Sequence, residues 1–267
     1  MKHVVEQPLD EFIAVLEKSK SLLSLISEAK DFSAKTIPCA DAPSQEIINK
    51  IQESIKKSNT NMLILSGTLL LYTVGQFENY IKETMKIVGE EFACRAQSFD
   101  SLPQKMQAHL VFQTAEFIQK PTKFRFQKSD VKSLINQLAA SMSKTGYIQI
   151  NKESLVITDQ NMRPDILSDL LGRFEIKEIW KDISKQTSIK TFFASEKEPE
   201  IERQLKELLN NIMEDRNGIA HPSSNPSFPD HDKINNYIAY FEVFAKEFSN
   251  IMINKCTMYQ PTQSPTF

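Results

Sequence analysis

Only six glycines occur in 267 residues, and no other feature of the sequence narrows the fold as much. Glycine supplies the positive-φ positions that tight hairpins, bulges and phosphate-cradling loops require. A chain this poor in glycine favours long helices, and the apolar spacing agrees. Leu70, Val74, Phe77, Ile81 and Val88 recur at three- and four-residue steps and predict a helix over 59–89. Hydrophobic residues make up 40% of the chain, enough for a substantial core. The expected fold class is all-α, a helical bundle with additional helices.

The same periodicity predicts helices over 9–30, 102–119, 129–143, 163–172, 175–185, 198–217 and 230–254. Ser44 is a plausible cap for a helix carrying Ile47, Ile48, Ile51 and Ile55; Ser101 and Ser129 are plausible caps for two later ones. Between 147 and 158 the pattern changes. YIQI and SLVIT alternate apolar and polar residues around Asn151–Glu153, which suggests a small β-hairpin. Three segments are expected: an N-terminal helical extension over 1–58, a helical domain over 59–254, and a flexible polar tail over 255–267.

Several function classes find no support. A net charge of −2 and a pI near 6.2 leave any nucleic-acid contact to local patches. Cys39, Cys94 and Cys256 are odd in number, far apart and not at metal-ligand spacing, so they read as reduced thiols. The N-terminus lacks the apolar core of a signal peptide, and the apolar run Met62–Val74 is too short to span a bilayer. A soluble, cytoplasmic protein without a membrane partner is expected. No HExxH or Cys-x2-Cys motif suggests a metal, and no P-loop, GxGxxG or GxSxG suggests a nucleotide cofactor or an α/β hydrolase. Neither cofactor nor metal is expected.

The informative segment is EPEIERQLKELLNNIMEDRNGIAHP, residues 198–222. Leu205, Leu208, Leu209, Ile212 and Met213 form an apolar stripe, and Arg216 returns to it at about 100° per residue. A guanidinium there needs a partner, because an unpaired buried charge is costly. His221 lies about 140° from Arg216 on a continuous helix. Gly218 is expected to end the helix, and Pro222 disfavours the α region for His221, leaving His221 free on a turn. A histidine titrating near neutral pH suits proton transfer. Glu78 likewise interrupts a stripe, four residues after Val74 and three before Ile81. Opposite charges on two core-facing stripes invite a Glu78–Arg216 pair, either structural or part of a site.

Arg216-Asn217-Gly218-Ile219-Ala220-His221 resembles the Arg-x4-6-His motif of the HEPN superfamily, where Asn commonly follows the Arg and the His commonly follows Ile-Ala. LLLYTVGQFENYIKE resembles the family's early helix and puts Glu78 at its acidic position. NMRPDILSDLLGRFEI resembles a helix of a defence-associated branch, and a final amphipathic helix follows the motif. Where family members frequently carry Gly after the His, this chain has Pro222. The resemblance implies a metal-independent endoribonuclease, a toxin or anti-phage effector. A 2′-OH would attack the adjacent phosphate, leaving 2′,3′-cyclic phosphate and 5′-OH ends. His221 would be general acid or base, Arg216 would stabilise the phosphorane, and Asn217 would orient His221 or the phosphate. RNA, a second copy in a homodimer, and an antitoxin or sensor protein are the implied partners. The alternative is a non-catalytic HEPN module that binds nucleotide or RNA, or assembles with a partner.

Weaker signals remain open. Lys120, Lys123, Arg125 and Lys128, interleaved with Phe124 and Phe126, either grip RNA or form an ordinary solvated loop. Lys177, Lys181 and Lys185 make a row diluted by Glu178 and Asp182. His109 reads as a packed or surface histidine. Asp230 and Asp232 beside His231 read as caps.

Overall fold

The computed structural model describes residues 3–38, 41–142, 148–221 and 228–261, with side chains left aside at 59–61. Among these are eleven α-helices: α1 (Glu6–Ala34), α2 (Ala42–Lys57), α3 (Asn59–Arg95), α4 (Gln104–Gln119), α5 (Asp130–Ser141), α6 (Lys152–Val156), α7 (Pro164–Gly172), α8 (Ile179–Ser184), α9 (Thr187–Phe193), α10 (Glu198–Ala220) and α11 (His231–Met258). No strand occurs among the described residues, and the all-α expectation holds.

Two compact units form. The first comprises Met1–Leu9, Glu78–Leu209 and Phe244–Phe267. Its core draws Tyr80, Ile81, Met85 and Val88 from α3 and Phe244, Phe248 and Met252 from α11, all buried. The buried Tyr80 hydroxyl donates to the Ala245 carbonyl at 2.8 Å, which satisfies a polar tip that would otherwise weaken the core. Helix α4 packs against α5 and α6. A Cβ at Gly89 would meet Leu155 Cδ1 at 2.8 Å, so glycine is what lets α6 lie this close to α3.

The second unit comprises Asp10–Phe77 and Asn210–Val243. Phe77 and Phe241 stack with ring centroids 4.5 Å apart, and Phe12 packs against both. Ile212 and Met213 of α10 and Ile234 and Ile238 of α11 are fully buried. Helix α2, by contrast, buries none of its residues, and Ile47 and Ile51 stay exposed.

The hairpin expected over 147–158 does not form. Residues 148–150 are irregular and Lys152–Val156 is the short helix α6. Ile148 and Ile150 are buried and Gln149 is exposed, which explains the alternation without a partner strand. Polar side chains take the carbonyls that a strand would have paired. Gln137 donates to Ile150 O at 2.9 Å, and Arg173 donates to Leu155 O and Ile157 O at 2.8 Å each. Tyr147 lies outside the described residues.

Cap assignments also shift. Asp41, not Ser44, accepts the Ser44 N–H at 2.8 Å and caps α2. Ser101 is bonded to Ser98, while Glu175 accepts the free Gln104 N–H of α4 at 3.0 Å. Ser129 precedes α5 without a side-chain capping bond. Helix α9 had no expected counterpart. At the other end α11 continues to Met258, and the Tyr259 ring stacks on Phe92 at 3.9 Å, so chain expected to be flexible from 255 is ordered that far. Residues 262–267 lie outside the described set.

Candidate functional site: the end of α10

Acidic Glu198 and Glu200 sit in the first turn of α10, where they favour the positive end of the helix dipole. Arg203 and Glu207 pair at i,i+4 along its solvent side. Leu205, Leu209, Ile212 and Met213 are fully buried. Arg216 ends this stripe half-buried.

The helix does not stop at Gly218. It runs to Ala220, and the His221 N–H donates to Asn217 O at 2.9 Å. Glycine permits termination but does not compel it. The restriction set by Pro222 falls on the residue before it, so the break comes at His221. His221 is therefore exposed at the helix end rather than on a free turn.

A regular helix sets the rest of the geometry. His221 lies about 140° around the axis and about 7.5 Å along it from Arg216. Asn217 lies between them: four residues before His221, it shares that residue's face. The Arg216 guanidinium donates to Asn217 Oδ1 at 3.1 Å. The amide thus joins the arginine to the histidine face. An arginine held at its fork, an amide and an exposed imidazole form a set suited to binding phosphate and moving protons.

A second cluster beside them was missed in the sequence. Asp215 accepts from the Tyr237 hydroxyl at 2.7 Å and pairs with Lys233 at 2.8 Å, tying the end of α10 to α11. Burial, then the hydrogen bond to Asp215, push the Tyr237 hydroxyl far above its ordinary range, so it remains a donor. A tyrosine on a core stripe announces that its hydroxyl needs a partner. Nothing local says that the partner sits 22 residues earlier.

Glu78 belongs to the first unit, where one of its oxygens accepts the Met162 N–H at 3.0 Å. The expected Glu78–Arg216 pair would join residues of different units; each has the partner just named. Of the cationic tract, Lys120 and Lys123 pair with Glu116 at 3.9 and 3.3 Å, while Arg125 and Phe126 border a cavity in the first unit. Arg125 and Lys128 are exposed. Lys177 precedes α8, and Lys181 and Lys185 pair with Glu178 and Asp182, so that row is a neutralised face. His109 is partly buried beside Arg173; burial first, then that guanidinium, lower its pKa to about 4. Asp230 accepts the Lys233 N–H at 2.8 Å, the cap expected at the start of α11.

Among the described residues no group of three or more His, Cys, Asp or Glu is placed to hold a metal ion. No helix there is long and apolar enough to cross a membrane.

Neither a curated protein nor a solved structure matches the chain. The family model described as RiboL-PSP-HEPN matches residues 44–254, a span that begins in α2 and takes in α10, its Arg216–His221 end and most of α11. With that match covering well over half of its length, the chain belongs to the RiboL-PSP-HEPN family of the HEPN superfamily.

Proposed function

We propose that this HEPN protein is a metal-independent endoribonuclease whose reactive groups are Arg216, Asn217 and His221. HEPN domains are often ribonucleases and often bind RNA and dimerise. The observation that carries the reading is the Arg216–Asn217 hydrogen bond, with His221 exposed one turn further along the same helix.

In the proposed reaction the ribose 2′-oxygen loses its proton to a His221 imidazole and attacks phosphorus. The P–O5′ bond breaks, the 5′-oxygen takes a proton from an imidazolium, and a 2′,3′-cyclic phosphate remains. Arg216 neutralises the charge that grows on the phosphorane. One step needs a base and the other an acid, and each chain offers one histidine at this place. A second copy of the chain would supply the other. Exposed apolar side chains in the unit that carries the motif, among them Ile47, Ile51, Ile64, Leu65 and Tyr72, favour such an association. A toxin or anti-phage role, with an antitoxin or sensor as partner, extends the proposal on resemblance alone.

The test is cleavage of total RNA and of tRNA in EDTA by wild type, Arg216→Ala and His221→Ala. Cutting to cyclic-phosphate ends, lost in both variants, is the expected result. His221 is exposed, so its replacement should change stability by less than about 0.5 kcal/mol. Retained cleavage by His221→Ala refutes the assignment. RNA binding without cleavage by wild type would move the chain to the non-catalytic reading.

A further inference from the structure

A cavity of about 600 Å³ opens within the first unit, among α3, α6 and the turn that follows α4. Its size falls in the range of small-molecule sites, roughly 300–1,000 Å³. Its lining is unlike an apolar pocket. Lys82, Lys86, Lys123 and Arg125 border it against Glu83 and Glu153, and adding the neighbouring Glu116 and Lys120 leaves the same excess of two positive charges.

The cations are not equivalent. Lys86 is spent on Glu83 at 2.9 Å and Glu153 at 2.7 Å. Lys123 leans on Glu116 and lies over the Phe124 ring at 4.7 Å. Lys82 and Arg125 have no ion-pair partner among the described residues. They are the two charges left to meet an anion.

The backbone at Arg125 supports the same reading. Its φ is 63°, a left-handed conformation that costs a residue with a Cβ about 1–2 kcal/mol. Phe124, Arg125 and Phe126 all border the cavity. In extended chain, consecutive side chains would point to opposite sides. The kink at Arg125, closed by the Phe126 N–H donating to Pro121 O at 2.9 Å, gathers all three to one place. Both rings lean on Phe117, at 4.7 Å for Phe124 and 5.1 Å for Phe126, but Phe124 also lies under Lys123, so the half-buried Phe126 is the one of the two with no cation over it.

Uncompensated cations beside a ring are the groups that hold a phosphate and the base attached to it. We propose that this cavity is a nucleotide-binding site, separate from the Arg216–His221 site, with Lys82 and Arg125 on the phosphate and Phe126 against the base. The nucleotide comes either free or as an unpaired residue of an RNA strand. The site does not depend on the ribonuclease reading.

The experiment measures binding of the full-length protein to fluorescent mant-ADP and to a labelled 2′-O-methyl oligoadenylate, which has no free 2′-OH and cannot be cut by the proposed chemistry. The variants are Lys82→Ala, Arg125→Gly, which removes the guanidinium while suiting the left-handed turn, and Phe126→Leu, which keeps bulk but not the aromatic face. Each should weaken binding by about tenfold, the equivalent of about 1.4 kcal/mol, while a cooperative thermal melt shows each variant folded. Arg216→Ala and His221→Ala should bind as wild type does. Binding of mant-ADP identifies a free nucleotide as ligand, and binding of the oligomer alone identifies a strand; either supports the site. Three results overturn it: no binding of either probe, loss of binding in the Arg216 and His221 variants instead, or inorganic phosphate competing as well as ADP.

Discussion

Gly218→Ala separates two accounts of the motif that differ in sign. If Gly218 ended α10 in a left-handed conformation, an alanine there would cost about 1–2 kcal/mol. In the structure Gly218 is helical, exposed, and two residues short of the last helical position. A Cβ built on it meets nothing within 4 Å, so no overpacking opposes the change. Alanine in a helix interior gains roughly 0.8–1.0 kcal/mol over glycine. Near a helix end, fraying reduces that, and a gain of about 0.5–1 kcal/mol is the working figure. The two accounts therefore lie about 2 kcal/mol apart, far outside the error of a urea titration.

Gly75→Ala calibrates the measurement. Gly75 is exposed in the middle of α3, and its Cβ position is also empty within 4 Å. It should gain about 1 kcal/mol. Urea midpoints at constant m-value give both numbers. Cleavage by Gly218→Ala should persist, because His221 already hangs on the helix through Asn217 O. A loss of about 1 kcal/mol at Gly218 alongside a gain at Gly75 would refute the continuous helix. Loss of cleavage with a gain in stability would show that the helix end must unwind for His221 to act.

Three further outcomes follow from polar groups and their partners. Tyr237→Phe deletes a hydrogen bond to a carboxylate, and since Asp215 keeps Lys233 the cost should sit near the low end for such bonds, about 1.5 kcal/mol, read as a lower urea midpoint. Lys233→Met, removing a half-exposed partner, should cost less than about 1 kcal/mol; a larger loss than for Tyr237→Phe would overturn that ranking. His109 has its pKa lowered to about 4 in the folded protein. Between that value and the unfolded value near ~6.5, the unfolded chain binds the extra proton. Its effect is thus nil above ~6.5 and destabilising as pH falls from there toward 4. His109→Gln should flatten stability over that window, measured by urea titration at stepped pH; an unchanged slope would show that His109 protonates in the folded state.

Much of the helical architecture was legible because burial imposes a period. The stripes of α3 and α10 carry fully buried Leu70, Val74, Phe77, Ile81, Leu205, Leu209 and Ile212, as their spacing requires. The misreadings have particular causes. At 148–150 alternation reported burial on one side of an irregular segment, and the strand was inferred from a pattern that side-chain bonds from Gln137 and Arg173 satisfy equally well. Gly218 permits a break without compelling one, and α10 continues past it to Ala220. Asp215 stayed hidden because its partners are on another helix, and local spacing carries no record of such a pairing. Lys82 and Arg125 are 43 residues apart in sequence, so their sharing of one cavity could be read only from the fold. The cationic tract was visible; which of its members are spent on carboxylates was not.

The regularity of α10 has a consequence for the proposed chemistry. Were Arg216 and His221 on a loop, one chain could fold both onto a single phosphate. On a helix they diverge by about 140°, and of the two residues in the gap, Asn217 and Ala220, Asn217 is the polar one, bonded to Arg216 and sharing a face with His221. A phosphate held at the Arg216–Asn217 pair is therefore approached from the His221 side by one imidazole alone. Transfer of protons at both the 2′- and the 5′-oxygen asks for a second titrating group, and the described neighbours Asp215, Lys233 and Tyr237 are engaged with one another. Under the proposed chemistry a second copy presenting its own α10 end would supply it, and dimerisation would then belong to the mechanism. Mixing wild-type with His221→Ala chains should accordingly lower cleavage as the square of the wild-type fraction, because a mixed dimer keeps one of the two imidazoles; a fall in direct proportion to that fraction would refute the need for two.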